Sequence, residues 1–553
     1  MTAAPSLESE VLASWGRAQA RWGRTLLLSR PALDCAETSV ARIDLSTRQI
    51  SLNGPEIARR GLSGCLEAIL AHEIGHHVRC PASLAVSARM RLLERSLVPI
   101  EGYSLVNLFA DLLINEHLGA DPEIRGQLGQ VYRTFAGGRP WERDPAFLFY
   151  LTAYEELWQL ERGELLGGAA REFHAAYPDH RADAQLLAQE LFHMGPNVYT
   201  QLIYFVSIVG RYLQPRIGDR PESRDPYACG CGEPTPEDWA DALTPSARER
   251  EALRRALAEG WITEEQAEAM DEALERRIHA LPGSGTDDAE RVPEIMAAYY
   301  RQQAERFLLR PPAQRTMGEA VVPTTLEDWE PGDGVAAIDW LATLVHRGDR
   351  LGGAIPLRRD RIADFEGHDV PLWRPRTEIY LDVSGSMPDP RTTLNAMTLA
   401  AQILTVATVR AGGWVRALLY SGDHVAYWTW CRSEVEISRF LMHYIGGGTD
   451  FPFPALAESV EQCGREQPIR VVITDRDFDA NYAERGQNAR VFAEAADRSA
   501  PLVMLLHLPD PERAKHYERA GAKVVPVLQM DDFPRMAAAL SFALFSGHPH
   551  VDL

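Results

Sequence analysis

The chain has 553 residues, with 57 Lys and Arg against 78 Asp and Glu and a formal net charge of -21. That acidity argues against nucleic acid as the main partner, because phosphate binding needs clustered Lys and Arg. The length exceeds what one hydrophobic core supports, so two or three domains are expected.

The first residues lack the basic and then apolar regions of a signal peptide. No uninterrupted apolar run is long enough to span a bilayer. A soluble, cytoplasmic protein is expected. The spacing of Val11, Leu12, Trp15, Ala18, Trp22 and Leu26 predicts a helix over 7–28. Short runs at 41–45 and 49–52, split by Ser46, Thr47 and Arg48, predict a β-hairpin. Next comes the stretch Leu70-Ala71-His72-Glu73-Ile74-Gly75-His76-His77. On a helix, residues four apart share a face. His72 and His76 can therefore aim two imidazoles at one ion, and Glu73 beside them can take a proton from water. This is the physical content of the zinc-hydrolase signature. Gly75 is small enough to let another backbone approach.

A catalytic zinc wants three protein ligands and one open position. The third should come from a later helix, predicted over 104–117. There Asn107, Asp111 and Asn115 fall at steps of four on an otherwise apolar helix. A buried carboxylate flanked by amides is costly unless it meets an ion or a donor. Asp111 is the expected third ligand; Glu116 and Glu101 are the alternatives. His77 and His117 read as ordinary histidines or as partners of a ligand.

These two stretches, His72 to His76 and Asn107 to Asn115, resemble a metallopeptidase domain found upstream of von Willebrand factor A-like domains in bacteria. The resemblance covers about the first 130 residues. It implies a zincin-like fold, in which an edge strand lines the cleft and takes up a peptide by strand addition.

The middle is helical by pattern, with helices over 146–160, 182–193 and 198–213. The last is apolar nearly all round and expected to be buried. Residues 215–236 read as a long loop, and Cys229 and Cys231 in it are too few thiols for a closed zinc site. Residues 236–278 read as solvated helix with interleaved Glu and Arg. A linker is expected over 281–288, a helix over 292–309 with Tyr299, Tyr300 and Phe307 as core candidates, and an extended connector over 310–334.

The second strong pattern is an apolar strand running into Asp382-Val383-Ser384-Gly385-Ser386. One carboxylate and two hydroxyls are hard oxygen ligands of the kind Mg²⁺ takes. Gly446, Gly447, Gly448 and Thr449 can supply a second loop, and a strand over 470–475 ends in Asp475. Loops at the carboxyl ends of parallel strands converge where open α/β sheets bind ligands. Strand and helix alternate from 374 onward, which predicts a mostly parallel sheet covered on both faces. The set Asp382, Ser384, Ser386, Thr449 and Asp475 resembles the metal-ion-dependent adhesion site of von Willebrand factor A domains. One departure is Arg476, where relatives commonly have Gly. The resemblance implies Mg²⁺ whose coordination is completed by an acidic side chain of a partner, and work beside a MoxR-type AAA+ ATPase.

The expected architecture is α+β and multidomain: a zincin-like, mostly helical domain over 1–165, a helical connector over 166–373, and a doubly wound α/β domain over 374–553. The expected function is a zinc-dependent peptidase. In it His72, His76 and Asp111 hold Zn²⁺, Glu73 is the proton carrier, and the Mg²⁺ domain docks a protein partner. The cleft is expected to stay covered until that partner engages. The competing expectation is a non-catalytic adaptor of an AAA+ ATPase with a structural or vestigial zinc site.

Overall fold

The computed structural model describes residues 7–23, 26–37, 39–98, 104–135, 144–213, 231–281, 291–308, 320–347, 355–364, 374–464, 466–483 and 486–545. The chain divides into two compact units. One holds Met1–Gln303 with Met387–Asn395 and Ser438–Tyr444; the other holds Ala304–Ser386, Ala396–Ile437 and Ile445–Leu553.

The first unit is mostly helical around a small sheet. Strands β1 (Ala32–Leu33), β2 (Ala41–Asp44) and β3 (Gln49–Leu52) pair in the order β1-β3-β2, with β2 and β3 forming the expected antiparallel hairpin. The first helix, Leu7–Ala20, stops earlier than its apolar spacing suggests. Trp22 lies beyond its end, where its Nε1 donates to the carbonyl of Ala71 at 2.7 Å. Asn53 caps the short helix Gly54–Arg60 through the backbone N–H of Glu56, satisfying a donor that the helix itself leaves open. The motif helix, Leu66–Val78, is buried on nearly every face, and so is the helix Val106–Leu118. The helix Val198–Val209 is buried almost throughout, as its sequence suggests; its Phe205 packs on Phe109 at 5.5 Å between ring centroids.

Two parts of the middle differ from expectation. Residues 236–278 are helical, in three segments, Pro236–Leu243, Ala247–Ala258 and Glu264–Glu275, but they are not simply a solvated face. Each opens on a reciprocal cap, Thr235 with Asp238, Ser246 with Glu249 and Thr263 with Gln266. Apolar positions of the second and third, among them Leu253, Met270 and Leu274, join the main core, and Glu249 is buried against Arg277 at 2.5 Å and Arg89 at 3.0 Å. The connector expected over 310–334 contains strand β4 (Ala320–Asp328), which pairs antiparallel with β5 (Leu357–Asp364). Most of the expected loop at 215–236 and of the linker at 281–288 lies outside the described residues.

The second unit carries a six-stranded sheet. Strands β6 (Arg376–Asp382), β7 (Trp414–Tyr420), β8 (His424–Cys431), β9 (Ile469–Asp475), β10 (Leu502–His507) and β11 (Lys523–Val527) run in the order β11-β10-β9-β6-β7-β8. All neighbours are parallel except the edge pair β7 and β8. Helices Ala396–Arg410 and Phe533–Phe545 pack together. Helices Phe453–Cys463 and Gly486–Asp497 supply the apolar cluster with Tyr380, Phe451 and Val472. This is the doubly wound arrangement the alternating pattern predicts. Strand order reverses between β6 and β9, so the carboxyl ends of those two strands flank the crevice where such sheets place their ligands.

Candidate functional site

In the first unit, His72 and His76 stand one helical turn apart, with ring centroids 4.9 Å apart and planes nearly perpendicular. Asp111 enters from the helix Val106–Leu118. Its Oδ1 lies 3.4 Å from His72 Nε2 and 3.3 Å from His76 Nε2. Ligand atoms of all three residues fall within 4.8 Å of one another, and they form the one such cluster of His, Cys, Asp and Glu among the described residues. Glu116, the alternative third ligand, is outside that cluster; Glu101 lies outside the described residues.

The helices meet this closely because residue 75 is glycine. A Cβ there would sit 2.4 Å from Ile114 Cγ2 and 2.9 Å from Trp22 Cζ2. The close approach anticipated from the sequence is thus made by two side chains rather than by a backbone. His117 is not a ligand; it stacks on Trp22 with centroids 4.6 Å apart.

Each imidazole is held from behind. His76 Nδ1 donates to the backbone carbonyl of Cys80 at 3.2 Å, and His72 Nδ1 lies 2.8 Å from Asn115 Oδ1. Such bonds fix the ring and leave Nε2 facing the cluster. Asp111 Oδ1 is buried and has no hydrogen bond of good geometry, while Oδ2 accepts from Asn107 Nδ2 at 3.4 Å. An orphaned carboxylate oxygen facing two imidazole nitrogens is a donor set that fits a tetrahedral Zn²⁺ with one position left over.

Charge coupling is strong. Burial pulls the His72 imidazole down, but the neighbouring Asp111 carboxylate outweighs it and leaves it raised. Burial also works against the Asp111 carboxylate, yet the two imidazoles hold it well below the ordinary range. Glu73 behaves oppositely: burial dominates and pushes its carboxyl up, against the pull of both histidines and of the nearby Ile43 backbone N–H. Ile43 belongs to the edge strand β2, so Glu73 sits between the two histidines and that edge. Glu73 and His76 are only 7% and 4% exposed. Beside Ile43, the Leu45 N–H of the same segment is taken by the Cys231 carbonyl at 2.9 Å.

Sequence reasoning did not single out Tyr132, Tyr150 and Tyr154, whose hydroxyls gather behind Asn115. The available signal was the spacing of Tyr150 and Tyr154, four apart on an apolar helix.

In the second unit, Asp382 at the end of β6 and Asp475 at the end of β9 come together with the two serines. Ser384 Oγ lies 3.1 Å from Ser386 Oγ, and Ser386 Oγ donates to Asp475 Oδ2 at 3.3 Å. Asp382 Oδ1 accepts from the Ser384 backbone at 3.0 Å; its Oδ2 accepts from Thr474 Oγ1, which the sequence reading missed, at 2.9 Å. The glycine loop reaches the same place. Gly385 N–H donates to the Gly447 carbonyl at 2.7 Å, and Gly447 has a φ of 93°, a left-handed conformation that favours glycine. Thr449 follows in that loop, its carbonyl fixed by Asn481 Nδ2 at 2.7 Å. Burial pushes the Asp382 carboxyl up to about 6, with Asp475 adding to it against the hydrogen bonds from Ser384 and Thr474. Closely set hydroxyls and carboxylates with an ionisation penalty fit a hard cation such as Mg²⁺. Arg476, the departure noted above, is exposed and lines a surface cavity with Asp477, Asp479 and Asp510.

No family model matches the chain, and none of the curated proteins matches it. Partial likenesses to solved structures exist. A von Willebrand factor type A protein from Catenulispora acidiphila is 13% identical with a TM-score of 0.25, over 34% of this chain and 45% of that one. An aerotolerance-related membrane protein from Bacteroides fragilis, carrying multiple mutations to serine, is 14% identical with a TM-score of 0.21, over 31% of this chain and 98% of that one. The chain thus spans less than half the length of the Catenulispora protein. Among the described residues no helix is long and apolar enough to cross a membrane.

Proposed function

We propose that this chain is a zinc-dependent peptidase whose second unit, a von Willebrand factor A-like domain, docks a protein partner through Mg²⁺. The observation that carries the reading is the meeting of His72 Nε2, His76 Nε2 and the unsatisfied Asp111 Oδ1 beside a buried glutamate. Zinc held there would supply Lewis acidity, polarising a scissile carbonyl and acidifying water. The chain's own groups do the rest. Glu73, its carboxyl raised by burial, takes a proton from the attacking water and returns it to the leaving amine. Strand β2 lines the same side and offers backbone groups to an extended peptide.

Burial of Glu73 and His76, with the Cys231 carbonyl already on β2's flank, supports a latent enzyme that opens when a partner engages. The partner would present an acidic side chain to the Asp382 site, and a MoxR-type AAA+ ATPase is the candidate that the sequence resemblance implies. The test is peptide cleavage by the zinc-loaded chain with that ATPase, in wild type and Glu73→Gln. Cleavage lost in the variant with zinc retained supports the reading; equal cleavage by both contradicts it. The same burial favours a second reading, a non-catalytic adaptor with a structural zinc. Full zinc occupancy, no cleavage with or without the ATPase, and loss of ATPase binding in Asp382→Ala would select it.

A further inference from the structure

Behind the histidines lies a polar cluster that has no part in the chemistry above. Asn115, Tyr132, Tyr150 and Tyr154 are 0%, 7%, 1% and 0% exposed. The three hydroxyls form a triangle with edges of 3.3 Å (Tyr132 to Tyr150), 3.2 Å (Tyr132 to Tyr154) and 2.8 Å (Tyr150 to Tyr154). Asn115 Nδ2 lies 2.7 Å from the Tyr132 hydroxyl and 2.9 Å from that of Tyr154. Its other amide atom is the one that faces His72.

Proton counting decides what this does. Each tyrosine hydroxyl has one proton and two lone pairs. Three hydroxyls in a ring can each donate to the next, which consumes all three protons inside the triangle. What remains outward is lone pairs, and these suit the two protons of an NH₂ group, not a carbonyl oxygen. A reversed amide would draw two of those protons to its oxygen and leave one for the three edges, so the orientation that satisfies every contact has nitrogen toward the tyrosines and oxygen toward His72. An oxygen there accepts only from a protonated Nδ1, so the neutral ring keeps its lone pair on Nε2, the atom aimed at Asp111. The reversed amide would donate to Nδ1 and put the proton on Nε2, where it blocks a metal. His76 needs no such device, because its Nδ1 faces a backbone carbonyl that can only accept.

Resting on the zinc reading above, we propose that Tyr132, Tyr150 and Tyr154 are positioning residues for the metal site: their hydroxyl ring sets the Asn115 amide, and the amide sets the His72 tautomer. Outer partners of this kind alter metal affinity by about 10- to 100-fold.

The experiment is zinc affinity of the full chain, by competition with a chromophoric chelator. Tyr132→Phe/Tyr154→Phe keeps both rings and removes the two acceptors; zinc binding should weaken about tenfold or more. Adding Asn115→Asp to that variant should recover most of the loss, because a carboxylate has no amide end to reverse and accepts from Nδ1 unaided. A purely structural role would not be rescued by burying another carboxylate. Tyr154→Phe alone, with and without Asn115→Asp, gives the same comparison in a less altered core. Wild-type affinity in the Phe variants, or loss without rescue, overturns the tyrosine role while leaving the zinc site standing. A wild-type chain that binds no zinc overturns both.

Discussion

Replacing Gly75 with Ala probes how tightly the two site helices must meet. The new Cβ would lie 2.4 Å from Ile114 Cγ2, whereas carbon atoms rest at about 3.5–4.0 Å. Ile114 is wholly buried, and Trp22 on the other side is tied to the Ala71 carbonyl and stacked on His117. Neither can swing away freely, so the helices must part by about 1 Å, given the contact distance above. Overpacking of this kind costs about 1–3 kcal/mol, and the helix preference of Ala over Gly offsets about 1 kcal/mol. A net destabilisation of up to about 2 kcal/mol follows from those two figures. The larger effect falls on the site, since ligand sets tolerate only about 0.5 Å of displacement. Zinc affinity should drop by about tenfold, as when other supporting contacts of a metal site are disturbed. Gly126→Ala is the control: nothing lies within 4 Å of its Cβ, so it should stabilise the chain by about 0.5–1 kcal/mol. Chemical denaturation and chelator competition read both variants. A Gly75→Ala chain as stable as Gly126→Ala, with unchanged zinc affinity, would refute the reasoning.

The second unit is expected to be sensitive at Glu378, which is fully buried between Arg416 at 2.8 Å and Arg470 at 3.6 Å. Glu378→Leu strands two guanidinium groups and should cost about 3–5 kcal/mol in urea denaturation; a loss below 1 kcal/mol would contradict that. Asp382→Asn should abolish Mg²⁺ binding in calorimetry and leave the metal-free chain at least as stable, because a buried, penalised carboxylate is removed. In the first unit, Arg59 and then Arg60 overcome burial and lower the Glu56 carboxyl from 4.5 to about 2. A lowered acid adds stability that is fully present above its ordinary value and is lost as pH falls toward the folded one. The stability difference between wild type and Glu56→Gln should therefore be constant above about pH 5 and vanish on acidification toward pH 2. A difference that does not change over that window would refute the ion-pair assignment.

What the sequence made legible was mostly local. His72 and His76 are four apart, and helical periodicity alone places them together. Asp111 stood out because a carboxylate between two amides is out of place on an apolar helix. The strands of the second unit read as apolar runs, and their alternation with helices implied a mostly parallel sheet. What stayed hidden depends on contacts between distant residues. Nothing in the sequence ties Asn115 to His72, 43 positions away, or to Tyr154, 39 positions away. Strand β4 was obscured by Pro323, next to which its pairing with β5 shifts register. Helix Pro511–Arg519 carries no apolar period of its own, because its surface is polar and only Tyr517 is buried. The solvated reading of 236–278 failed because Glu249 and Arg277 satisfy each other inside the core, which charge interleaving alone does not reveal.

The central claim is that His72, His76 and Asp111 hold one ion. Crystals of the zinc-loaded full chain, with anomalous diffraction collected on both sides of the zinc absorption edge, test it directly. The account predicts one strong zinc peak at about 2.0–2.2 Å from both Nε2 atoms and an Asp111 oxygen, absent from His76→Ala crystals grown the same way. Zinc absent from that position, with both imidazoles left paired to Asp111 alone, would contradict it.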